Sequence, residues 1–165
     1  MTSIQATALA VDTRVGTSFT NILVGIDFSP TSLRALEEAL TIAQRSGGRV
    51  TLLHVLEGFP SETVYSGSRG FRIIRDYRAR VEQVKRELRA LVPAEALNWC
   101  EVDTEVVSGV AHRSILAVAL ERNADLVVLG SPRRTMLDRI ATASTVAGVL
   151  RGADRPVLTV PEVSP

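Results

Sequence analysis

Apolar residues in this chain fall into two alternating kinds of run. Short unbroken runs of aliphatic side chains are separated by longer stretches in which apolar positions recur at steps of three and four. The first short run, Asn21-Ile22-Leu23-Val24-Gly25-Ile26, ends at Asp27, and Ser29-Pro30 then supplies a helix start. From Thr31 to Ser46 the positions Leu33, Leu36, Leu40 and Ala43 form a helical stripe, which Gly47-Gly48 terminates. A second strand follows over Arg49 to Leu56, apolar enough to be covered on both faces.

Glu57 to Gly70 reads as a long Ser- and Gly-rich loop. The most regular helical pattern of the chain then runs from Phe71 to Leu91 through Ile74, Tyr77, Val81, Val84 and Leu88, with Pro93 closing it. Strict alternation of Val102, Thr104 and Val106 with Glu101, Asp103 and Glu105 predicts a third strand, exposed on one face and placed at a sheet edge. After Gly109 a helix over Ala111 to Arg122 turns Ile115, Leu116, Ala119 and Leu120 inward. Asp125 to Leu129 is the most uniformly apolar strand and the candidate for the sheet centre. A fourth helix over Ser144 to Arg151 and a fifth strand over Pro156 to Val160 complete the series. Strands alternating with helices at these spacings predict an α/β fold with βαβ crossovers, a parallel sheet and three layers.

Composition narrows the functional classes. At 165 residues the chain fits one domain, with residues 1 to 18 as a flexible N-terminal extension and 19 to 165 as the domain. Aromatic residues are 4% of the total and net charge is +1, so stacking platforms and a general pull toward nucleic acid are both lacking. The arginines on the outer side of the helix over 71 to 91 interleave with acids, as Glu82 with Arg86, and read as a solvated face rather than a phosphate track. Cys100 is the only cysteine, which rules out an internal disulfide and suits a reducing, cytoplasmic setting. No segment reaches the roughly 20 apolar residues of a membrane span, and Met1 to Ser18 lacks the basic and apolar regions of a signal peptide.

Candidate chemistry concentrates after Leu129. The loop Gly130-Ser131-Pro132-Arg133-Arg134-Thr135 leads toward Ala143-Ser144-Thr145, the layout of a phosphate-binding turn in which Arg133 and Ala143 stand where close backbone approach favours glycine. Ser131 lacks the Gly-x-Ser-x-Gly context of a hydrolase nucleophile. His54 and His112 have no cysteine or acidic partner at metal-ligand spacing. No catalytic residue and no metal site is therefore expected.

Four segments together resemble the universal stress protein family from about Thr20 to Pro161. They are Ile22-Leu23-Val24-Gly25-Ile26-Asp27-Phe28-Ser29, Thr51-Leu52-Leu53-His54-Val55, Ala124-Asp125-Leu126-Val127-Val128-Leu129-Gly130-Ser131, and Arg155-Pro156-Val157-Leu158-Thr159-Val160. The resemblance implies a five-stranded parallel sheet of order 3-2-1-4-5 of the adenine nucleotide alpha hydrolase-like type, and a homodimer formed through the strand 156 to 160. ATP-binding members of the family carry Gly-x2-Gly-x9-Gly-[Ser/Thr]; here those places fall on Gly130, Arg133, Ala143 and Ser144, so one glycine of three remains. The other contacts map to Asp27, Val55, Leu129 and Thr145. Arg133 either crowds a triphosphate or binds it by charge-assisted hydrogen bonds together with Ser144 and Thr145.

The resulting expectation is a cytoplasmic, dimeric stress-response protein that acts by binding and regulation, with a degenerate nucleotide-binding loop and a protein partner of unknown identity. Contact would run through the loops 57 to 70 and 131 to 142, with Met136-Leu137 as a lid or dimer contact. The alternative is an ATP-binding switch or slow ATPase of the same fold, with ATP and Mg²⁺ in the pocket.

Overall fold

The computed structural model describes residues 18–58, 68–131 and 143–162, with the backbone alone for 68–73 and 143–144. Strands β1 (Asn21–Gly25), β2 (Arg49–Leu56), β3 (Glu101–Ser108), β4 (Leu126–Ser131) and β5 (Val157–Pro161) alternate with helices α1 (Pro30–Ser46), α2 (Ser68–Ala90), α3 (Ala111–Glu121) and α4 (Ala143–Gly152). All four strand pairings are parallel and the order is β3-β2-β1-β4-β5. The order 3-2-1-4-5 is thus the one expected.

Alternation along the strands builds two cores. Ile22, Val24, Val50, Leu52, Leu126 and Val128 face α1 and α2, while Leu23, Leu53, Val127 and Leu129 face α3 and α4. The three layers follow directly, since a strand covered on both faces is apolar along nearly its whole length, Thr51 of β2 being the buried polar exception. The sheet centre, however, is β1 rather than the strand at 125 to 129. Uniform apolarity reports cover on both faces, which β1 and β4 share, and carries no information about rank within the sheet.

Helix α1 forms where its boundary residues dictate. Ser29 accepts from the N–H of Ser32 at 3.2 Å, Pro30 occupies the first turn, and Gly47 ends the helix at φ 63°. Its buried stripe is Ala35, Leu36, Ala39, Leu40 and Ala43, with Leu33 only half-buried. In α3 the stripe is Ile115, Val118 and Ala119; Leu120 is 62% exposed, contrary to expectation. Five residues beyond Ile115, it lies about 140° around the helix from it.

Helix α2 begins at Ser68, so the preceding connection is shorter than the sequence pattern implied, and residues 59–67 lie outside the described residues. On its outer side Glu82 pairs with Lys85 at 3.7 Å rather than with Arg86, and Arg80 pairs with Glu87 at 4.0 Å. A 3-10 turn over Ala94–Asn98, which no periodicity signalled, seats Ala96 in the core ahead of β3. As predicted, β3 is an edge strand. Arg49 pairs with Glu101, and Arg122 reaches Asp103 at 3.7 Å and Glu105 at 2.8 Å, which leaves this edge charged. No helix among the described residues is long and apolar enough to cross a membrane.

Candidate functional site

A cavity of about 210 Å³ opens beyond the carboxyl ends of β1, β2 and β4. Strand β1 is where the chain reverses its direction of winding, with β2 on one side and β4 on the other, the position at which open α/β sheets bind ligands. The cavity takes its apolar walls from Leu53, Val55, Ile115, Leu129 and Val146.

Two glycines shape the base of this space. A β-carbon on Gly25 would lie 2.6 Å from Leu129 Cδ2, so the side chain of Leu129 occupies room that a larger residue would claim. A β-carbon on Gly130 would lie 2.5 Å from the carbonyl carbon of Thr31 and 2.6 Å from the Ser32 nitrogen. Gly130 is therefore required by the packing of β4 against the first turn of α1, whatever the ligand.

The turn between β1 and α1 places Asp27. Its Oδ1 accepts from Ser29 N at 2.9 Å and from the Ser29 hydroxyl, while its own N–H donates to Ser32 Oγ at 3.3 Å. Partial desolvation pushes the Asp27 carboxyl up, but the hydroxyl and backbone N–H of Ser29, with smaller help from Ser32, outweigh it and hold the group below the usual range. Both Ser29 hydrogen bonds fall on Oδ1, which thereby serves the helix start.

Phe28 follows at φ 64°, a left-handed conformation that is unfavourable by about 1 kcal/mol for a side-chain-bearing residue. Contacts to β2 hold it. His54 Nδ1 donates to Ile26 O at 2.7 Å, and the His54 ring packs against Phe28 with centroids 5.1 Å apart. His54 thus stabilises the turn that presents Asp27, while also lining the cavity.

The opposite wall is set by α3 and α4. A β-carbon on Gly148 would lie 2.6 Å from the His112 ring, so this glycine lets the two helices approach closely. The first N–H of α3, from Ala111, is capped at 3.1 Å by Glu57 Oε1, which reaches across from the end of β2. Glu57 and Ala111 both line the cavity.

Of the residues singled out from the sequence, Asp27, Val55, Leu129, Gly130 and Thr145 line this one cavity. Ser144 is the second residue of α4, next to Thr145, and its side chain lies outside the described residues. Arg133, Met136, Leu137 and the rest of the loop 132–142 also fall outside them, as does most of the connection after Glu57. Sequence reasoning passed over Ser32, His54, Glu57 and Ile115 as site residues. Position gave the only available signal for Glu57, an acid immediately past the end of a buried strand. The described walls hold two carboxylates, Asp27 and Glu57, and neither lysine nor arginine. They suit the uncharged, donor-rich nucleoside end of a ligand better than a triphosphate. Among the described residues no group of three or more His, Cys, Asp or Glu is arranged to hold a metal ion.

Residues 18–161 match the family model described as the universal stress protein family. A universal stress protein of Methanocaldococcus jannaschii is 29% identical over 148 residues, spanning 86% of this chain and 82% of that protein. Among solved structures, the universal stress protein UspA from Lactobacillus plantarum superposes with a TM-score of 0.66 at 26% identity, covering 86% of this chain and 97% of that one. A universal stress protein solved in complex with cAMP superposes with a TM-score of 0.62 at 23% identity, covering 89% and 100%. These neighbours share the adenine nucleotide alpha hydrolase-like fold described above.

Proposed function

This chain belongs to the universal stress protein family, and from that membership and its cavity we propose that it is a cytoplasmic, dimeric regulatory protein that binds an adenine nucleotide. The observation that carries the reading is the convergence of Asp27, Val55, Leu129, Gly130 and Thr145 on one cavity at the switch point of the sheet. The related structure in complex with cAMP supports the fold's capacity for such a ligand. Asp27 Oδ2 is the acceptor offered to a ribose hydroxyl, and the backbone of Val55 meets the base.

The phosphate end is degenerate in this reading. Gly130 has a packing role of its own, so its presence carries no weight for phosphate binding. Arg133, with Ser144 and Thr145, takes the phosphates in place of a glycine-rich turn. The domain begins near residue 19, and β5 pairs with its counterpart in a second copy. That arrangement covers the outer edge of a strand whose only partner among the described residues is β4. A protein partner would read the occupied state through the segments 57 to 70 and 131 to 142.

Calorimetric titration with AMP, cAMP and ATP, each with and without Mg²⁺, tests the reading. Micromolar binding of AMP or cAMP without a Mg²⁺ requirement is the expected outcome, and absence of binding by all three at millimolar concentration overturns it. Tight binding of ATP that needs Mg²⁺, with steady release of phosphate, would instead favour an ATP switch or slow ATPase. Light scattering at micromolar concentration tests the dimer, and a monomer defeats that part.

A further inference from the structure

We propose that Glu57 is a specificity-determining residue of the cavity, selecting ligands whose base carries an exocyclic amino group. The proposal rests on the nucleotide-binding reading above and names what discriminates among bases. Glu57 stands two residues beyond Val55, just past the end of β2, and it lines the same cavity. Its carboxylate is not a free rotor. Oε1 is held at 3.1 Å by the Ala111 N–H, at the amino end of an 11-residue helix whose dipole favours negative charge there.

That anchoring leaves Oε2, on an exposed side chain, with no hydrogen-bond partner among the described residues and open to water. A carboxylate oxygen accepts and never donates, so its chemical complement is an N–H on the ligand. Leu53, Val55 and Ile115 supply apolar surface beside it, suited to the faces of a planar ring. A ring lying there with an amino group on its edge satisfies Oε2. One with a carbonyl at the same place sets acceptor against acceptor and displaces the water on Oε2 without supplying an N–H in its stead.

Titration of the full chain with AMP and IMP compares an amino with a carbonyl group at one ring position. The wild-type protein is expected to favour AMP by roughly tenfold or more, the scale of one charge-assisted hydrogen bond. Glu57→Gln retains an oxygen to cap Ala111 and gains an amide N–H, so its AMP-to-IMP preference should collapse while its unfolding midpoint falls only slightly, by the lost charge at the helix start. Glu57→Ala should lose both the preference and some thermal stability. A preference equal in wild type and Glu57→Gln, with binding intact, overturns this inference alone, as does a preference lost only in Glu57→Ala. Failure of the wild-type protein to bind either nucleotide overturns it together with the nucleotide-binding reading.

Discussion

Gly130 and Ser32 are so close that a β-carbon at position 130 would sit 2.6 Å from the Ser32 nitrogen. The obstructing atoms belong to the backbone of the first turn of α1, so relief requires the whole helix to move. Gly130→Ala should therefore destabilise the protein by about 1–3 kcal/mol, the range for overpacking a core. Urea unfolding without nucleotide measures this, and a midpoint equal to wild type would refute the contact. Loss of ligand affinity in that variant would be a packing effect and would say nothing about phosphate.

Legibility in the sequence followed the range of the interactions involved. Strands β1, β2 and β4 were readable because cover on both faces forces unbroken apolar runs, and α1 because Ser29, Pro30 and Gly47 act within a few residues of themselves. The rank of β4 in the sheet and the exposure of Leu120 depend on neighbours distant in sequence, which no local period encodes. At the site, Asp27, Val55 and Thr145 were found through the family motif. The cap from Glu57 to Ala111 spans 54 positions, and the support of His54 for the Phe28 turn spans 28 to Ile26, so both were invisible to spacing arguments. The reason for Gly130 was likewise hidden, since a motif and a close approach of backbones both require glycine.

Arg155 acts as a clamp on the far end of α3. Its guanidinium donates to Ala119 O at 2.6 Å and Ala124 O at 2.8 Å, two carbonyls at and beyond the end of the helix, while Asp154 orients it. Arg155→Ala should lower stability by about 2–3 kcal/mol, because both carbonyls lose a charged donor. Arg155→Lys should recover only part, since a single ammonium does not reproduce the planar fork. Denaturant unfolding of the three proteins checks the order, and equal recovery by lysine would contradict it.

Cys100 is buried beside the first core, and desolvation pushes its thiol above its ordinary value. The reactive thiolate is accordingly scarcer at neutral pH than in an unfolded chain, and access is restricted as well. Alkylation at pH 7.5 should run at least about tenfold slower in the native protein than in urea. Comparable rates would mean that the thiol is open to solvent.

Asp27 has a role at the helix start and a proposed one toward the ligand, with separable signatures. Its folded carboxyl lies below the ordinary value because Ser29 hydrogen bonds, assisted by Ser32, outweigh the upward push of desolvation. A depressed folded value stabilises the protein fully above the unfolded pKa near 3.8, and that contribution is lost as pH falls through the folded value. The stability difference between wild type and Asp27→Asn should thus be constant from neutral pH to about pH 5 and shrink below pH 4. Urea unfolding across that range measures it, and a difference that grows on acidification would reverse the assigned sign. The proposed ligand contact is assigned to Oδ2, the oxygen that carries neither Ser29 hydrogen bond. Asparagine can still offer an oxygen to Ser29, but it puts an amide N–H or a weaker neutral acceptor where a ribose hydroxyl would donate. AMP affinity should therefore fall about tenfold at pH 7, beyond what the loss of stability explains. Unchanged affinity would confine Asp27 to the helix start.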